Sequence, residues 1–171
     1  MGVASATGVE LYCKENGTIT ITLPENLASA DLTFAIEGEG YTITEVAGAT
    51  KDGDVYKVSG STSVTVTIAA DVTAVGGTFN VAVANAKDAE DTAIEFAGAT
   101  ATIGFTSIEG DANGDKTVNL ADALAALYKV AQKPGAADIN VKNADIDGTE
   151  GFTINDVYAI VREWLITTLG E

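Results

Sequence analysis

At Gly110 the chain changes its period. Before it, apolar residues recur at every second position; after it, they recur at helical spacing. Thr18-Ile19-Thr20-Ile21-Thr22-Leu23 alternates strictly, so Ile19, Ile21 and Leu23 share one strand face and the threonines the other. Leu32, Phe34 and Ile36 repeat the pattern. So do Val64, Val66 and Ile68, then Phe79, Val81 and Val83, then Ala101, Ile103 and Phe105. Val9, Leu11 and Cys13 make a further strand, and Asn16-Gly17 predicts a tight hairpin after it. Turn clusters at Lys51-Asp52-Gly53-Asp54, Ser59-Gly60-Ser61 and Gly76-Gly77 separate the other runs. Short alternating strands at this spacing predict an all-β antiparallel sandwich of immunoglobulin type over residues 1–107.

From residue 108 a small α-helical domain is expected, running to residue 171. Helical spacing covers Ala121 to Lys133 and Asp156 to Thr168. In the second stretch Val157, Ile160, Val161, Trp164 and Leu165 form one stripe. Pro134-Gly135 stops the first helix.

Charge removes several function classes. The 171 residues carry 25 acids, 9 Lys and Arg and no histidine, a net charge of −16. Nucleic acids and anionic membranes are bound by rows of cations that this chain lacks, so neither is an expected partner. Both halves are acidic, −11 over residues 1–109 and −5 over residues 110–171. Without histidine no Ser-His-Asp or Cys-His unit exists. Zinc lacks ligands, since Cys13 is the one soft donor; Cys13 reads as a small core residue. No apolar run reaches the ~18 residues of a membrane span, and Met1-Gly2-Val3-Ala4 shows no signal-peptide pattern. A pair of carboxylates suffices for glycoside hydrolysis, but nothing singles out one pair among 25 acids, and the expectation is a non-enzyme.

The acids of the second half fall at a cation-binding spacing. Asp111 to Asp122 is a twelve-residue loop with side-chain oxygens at positions 1, 3, 5, 9 and 12: Asp111, Asn113, Asp115, Asn119 and Asp122. With the carbonyl of Thr117 at position 7, this is the ligand spacing of an EF-hand-type calcium loop. Calcium takes six to eight oxygens, and a tight loop turns alternate side chains inward. Lys116 stands at position 6 instead of Gly, and Asp122 at position 12 instead of Glu.

A second copy begins 34 residues later. Asp145, Asp147, Thr149, Gly151 (through its carbonyl), Thr153 and Asp156 take the same positions, and Phe152 stands where Val118 does. Thr149 occupies a position where an acid is expected, with Glu150 as the nearest substitute. An alternative register starts from Asn143, Asp145 and Asp147, with two residues inserted before Phe152. The offset also aligns the following helices, Leu127 with Val161 and Val130 with Trp164. Asp and Asn are common in plain turns, but plain turns do not align core positions. Each loop is followed by a helix, and the first is preceded by a strand, so the unit is loop then helix, twice. Two Ca2+ ions are the expected cofactors.

Residues 110–171, with both Asp-x-Asn/Asp-Gly loops and Asp at position 12 of each, resemble a dockerin, the calcium-binding anchor of cellulosomal proteins. The resemblance implies docking onto a cohesin module of a scaffold protein, in a secreted or cell-surface complex for polysaccharide degradation. Carried over by position, the contact residues are Leu120 and Ala121, Ile154 and Asn155, with Leu127, Tyr128, Val161 and Arg162 behind them. Leu127 and Val161 are equally read as core residues. The first half is similar in pattern to a cohesin-like sandwich or to the accessory X modules that sit beside dockerins. An alternative function for it is carbohydrate binding, with the second half as its tether. Sugar platforms need exposed flat aromatics, and Tyr12, Tyr41 and Tyr56 are its tyrosines.

Overall fold

The computed structural model describes residues 4–170; Met1 to Val3, part of the leader reading above, lie outside them. The described residues form ten strands and three helices. They fall into two compact units, one of Met1–Leu11, Glu15–Ala69 and Gly76–Gly104, the other of Tyr12–Lys14, Ala70–Val75 and Phe105–Glu171.

The first unit is a sandwich of two sheets. One has four strands in the order β1 (Ser5–Ala6), β3 (Asn16–Thr22), β8 (Ser63–Ala70), β5 (Tyr41–Ala47). The other has six, in the order β2 (Val9–Leu11), β10 (Ala99–Phe105), β9 (Gly77–Lys87), β4 (Ser29–Glu37), β7 (Val55–Ser59), β6 (Thr50–Asp52). Every pairing with a defined register is antiparallel. The alternation sets the core as expected. Ile19 and Ile21 on β3 face inward beside Val64, Val66 and Ile68 on β8, all fully buried, while Thr18, Thr20 and Thr22 are exposed. Leu32 and Phe79 on the other sheet are equally buried, and the Phe34 ring packs on Phe79 and Tyr56 at 5.5 and 4.9 Å. Burying each such Ile, Val or Phe contributes roughly 1.5–3 kcal/mol.

Two sequence readings need correction. Asn16-Gly17 is no hairpin turn: Asn16 and Gly17 open β3, opposite Ala69 and Ile68, while β2 lies in the other sheet. Gly17 is required for space. A Cβ on it would meet Leu11 Cδ2 at 2.5 Å and Val9 Cγ2 at 2.7 Å. Cys13 does not continue β2, which ends at Leu11; the chain turns away through Lys14, whose φ is +63°.

In the second unit α1 spans Leu120–Val130 and α3 spans Ile154–Leu169. Helix α1 stops three residues short of the expected Lys133, because Gln132 turns left-handed at φ +50°, ahead of Pro134. Helix α2, Val141–Ala144, was not foreseen; its four residues are too few to show a period, and Asn140 caps it by accepting from the Asn143 N–H at 3.0 Å. The core of this unit is Ala112, Ala123, Ala126, Ile139, Ala144, Val157 and Ile160, with Val118, Ile146 and Phe152 packed against it. Val118 and Phe152 therefore anchor the two loops at equivalent places. No helix among the described residues is long and apolar enough to cross a membrane.

Candidate metal centres and helix groove

Both loops gather carboxylates. Ligand oxygens of Asp111, Asp115 and Asp122 lie within 4.8 Å of one another, and so do those of Asp145, Asp147 and Asp156. The last acid of each loop sits on the third residue of its helix. Asn119 caps α1 and Thr153 caps α3, each in a reciprocal capping box with Asp122 or Asp156. Helix nucleation and carboxylate placement thus share the same residues.

In the first loop Asp111 is fully buried. Its Oδ1 accepts the N–H groups of Gly114 and Asp115 at 2.8 and 3.1 Å; its Oδ2 accepts the Lys116 N–H at 2.6 Å and the Tyr12 hydroxyl. Asp122 accepts the N–H groups of Asn113 and Asn119 at 3.0 and 2.9 Å. Burial pushes its carboxyl above the usual range, and the Asp111 and Asp115 charges push the same way. Asp115 accepts the Thr117 N–H at 2.8 Å, and the Thr117 carbonyl accepts from Asn119 Nδ2 at 3.1 Å. Asn119 Oδ1 is taken by the Ala121 N–H at 2.7 Å, so this residue serves the helix end. Asn113 Oδ1 is buried and has no hydrogen-bond partner. An orphaned oxygen on a loop that clusters three carboxylates is the donor set of a hard cation, and the residues fit calcium. Lys116 adopts φ +68° at the position where such a loop needs a left-handed residue.

The second loop is looser. Asp156 accepts the N–H groups of Ile146, Asp147 and Thr153 at 2.9, 3.0 and 2.7 Å. Burial acts upward on its carboxyl, but these hydrogen bonds together outweigh it and hold the group below the usual range. Thr149 donates its hydroxyl to Asp147 Oδ1 at 2.7 Å. Gly151 has φ +99°, so the left-handed residue comes one position later than in the first loop. Thr153 Oγ1 accepts the Asn155 N–H at 3.2 Å. Asn143 is buried in α2, where its amide donates to the Asp111 carbonyl and its Oδ1 accepts from Ser107 Oγ. Glu150 is exposed and outside the cluster.

The helices present an apolar groove. Leu120, Ala123, Leu124 and Leu127 of α1 face Ile154, Val157, Tyr158 and Val161 of α3 across it. Each residue in the first set lies 34 positions before its counterpart in the second. Leu120, Leu124, Leu127, Ile154 and Tyr158 are exposed, Tyr158 by 67%. Sequence reasoning missed Leu124 and Tyr158, which the 34-residue offset would have paired. Ala121 and Asn155 are exposed beside the groove, as is Arg162. Tyr128 is half-buried under the Lys133 ammonium, 3.5 Å from its ring centre. Of the two residues also read as core, Leu127 is exposed and Val161 is half-buried against the core cluster.

None of the three tyrosines of the first half is fully exposed. Tyr12 is buried, the Tyr41 hydroxyl accepts the Gly76 N–H at 2.8 Å, and Tyr56 is half-buried against Phe34.

No family model and no curated protein matches the chain. Among solved structures it is similar to the cohesin module of a Clostridium perfringens family 33 glycoside hydrolase, at 8% identity and a TM-score of 0.48, over 61% of this chain and 96% of that one. A non-cellulosomal cohesin from the archaeon Archaeoglobus fulgidus matches at 12% identity and 0.43, over 61% and 91%. The third cohesin of ScaC from Acetivibrio cellulolyticus, solved in complex with the ScaB dockerin, matches at 8% and 0.40, over 61% and 99%. With these TM-scores below 0.5, nothing about this chain's partner or chemistry follows from the likenesses.

Proposed function

We propose that the second unit is a calcium-dependent docking module of dockerin type, and that the whole chain is non-catalytic and anchors a parent protein to a cohesin in a secreted or cell-surface assembly. The groove carries this reading: two loop-helix copies 34 residues apart contribute four equivalent residues each to one exposed apolar surface. Exposed apolar patches of this kind mark interaction sites. Calcium would be held by Asp111, Asn113, Asp115 and Asp122 in the first loop and by Asp145, Asp147 and Asp156 in the second. The ion supplies positive charge that offsets repulsion among clustered carboxylates and so favours the folded loops. The sandwich serves as the accessory module.

The test is a pull-down of the full chain with a panel of cohesins, with calcium and with chelator. Binding to at least one cohesin, lost in chelator and weakened by Leu124→Asp or Tyr158→Asp, is expected. Leu124 and Tyr158 differ in size and polarity, so the two replacements should weaken binding unequally. Undiminished retention of cohesin by both variants would remove the groove from the reading.

A further inference from the structure

The first loop is held by a piece of chain from far upstream. Tyr12, 4% exposed, donates its hydroxyl to Asp111 Oδ2 and accepts from Asn143 Nδ2 at 3.1 Å. Its ring stacks on Phe105, with centroids 6.1 Å apart and planes 14° from parallel. Two residues on, Lys14 Nζ donates to the carbonyl of Asn113 at 2.5 Å. Between them Cys13 Sγ lies 2.7 Å from the position that a Cβ on Gly114 would take. Three consecutive residues therefore grip positions 1, 3 and 4 of the loop. Nothing equivalent is seen at the second loop among the described residues.

We infer that Tyr12 is a positioning residue for the first metal centre: its hydroxyl orients the Asp111 carboxylate, and occupancy of that loop is coupled to the order of Tyr12–Lys14. The inference rests on the calcium reading given above. A carboxylate with four donors on two oxygens has little freedom left. Removing this side-chain donor lets it rotate within the loop while the backbone donors remain. Partners that hold a metal ligand in this way typically carry ten- to a hundredfold in metal affinity.

The test uses the full chain with the second loop silenced by Asp147→Ala. Calorimetric calcium titration compares it with the same chain carrying Tyr12→Phe, which keeps the ring on Phe105 and removes the hydroxyl. An affinity lower by about ten- to a hundredfold is expected, with a correspondingly smaller calcium-induced rise in melting temperature. A merely structural role would lower the melting temperature equally with calcium and with chelator, and that result overturns the inference. So does equal affinity in the two chains. If the unaltered chain takes up no calcium, the metal reading itself has failed and the inference falls with it. A measurement without substitution stands beside this one. With labelled tyrosine, the Tyr12 ring signals of the native chain should move as the first loop fills; signals that stay fixed through saturation overturn the coupling.

Discussion

The two loops carry one spacing and two different constructions. The first is closed in: its leading acid is fully buried, its fourth position lies against Cys13, and its third residue offers an oxygen that no protein group satisfies. The second is open: Cβ atoms on Gly148 or Gly151 would meet nothing within 4 Å. The last acids differ to match. Burial and neighbouring charge push Asp122 up, whereas backbone donors hold Asp156 down. A repeat at the level of ligand spacing therefore does not fix affinity, because the surroundings of each ligand differ.

Asp111→Ala should break the comparison hardest. It strands three loop N–H groups and the Tyr12 hydroxyl, and each unsatisfied buried group costs about 1–3 kcal/mol. A loss of at least about 3 kcal/mol in chelator is expected from urea unfolding. Asp156→Ala also strands three N–H groups but no buried side-chain hydroxyl, so its loss in the same measurement should be smaller by about 1–3 kcal/mol. Equal losses would mean that the first loop is no more tightly built than the second.

A smaller contrast is expected at the fourth position. Gly114 and Gly148 both have positive φ, +73° and +81°. Alanine at Gly148 should cost only the left-handed backbone term, about 1–2 kcal/mol. At Gly114 the new methyl also strikes Cys13 Sγ, adding about 1–3 kcal/mol of overpacking. Thermal melts of the two variants check the difference.

The least effect, and of opposite sign, belongs to Thr149→Asp. It supplies a carboxylate at the fifth position of the second loop, where charge count tunes calcium affinity. Calorimetry should show tighter binding at that loop, with the first unchanged.

The long strands β3, β4, β8, β9 and β10, both principal helices and both acid clusters were legible because each rests on a local period or a short spacing; the short β1, β6 and β7 were not, and β6 runs into Lys51-Asp52, read as a turn. Ile19 and Ile21 declare their face within six residues, and Val118 and Phe152 declare theirs through the repeat. The misreadings have a common cause. Asn16-Gly17 looks like a turn, yet Gly17 is small because Val9 and Leu11 pack on it. Tyr12 could be seen as an aromatic, but no local pattern shows that its hydroxyl meets an acid 99 residues away. Leu124 and Tyr158 sit between legibility and its absence, since the offset pairs them but only the structure shows them exposed.

The Tyr12 contacts also bear on how the chain is made. Tyr12 reaches Asn143 across 131 residues. At ~5–20 residues per second, synthesis of that interval takes roughly 7–26 s. Throughout it Tyr12 has been produced and Asn143 has not, and Asp111, its other partner, follows only after 99 residues. The sandwich strands can pair meanwhile, since β10 ends at Phe105. The segment linking β2 to β3 waits, with the Cys13 thiol and the Tyr12 hydroxyl in water, until the last third of the chain arrives to cover them.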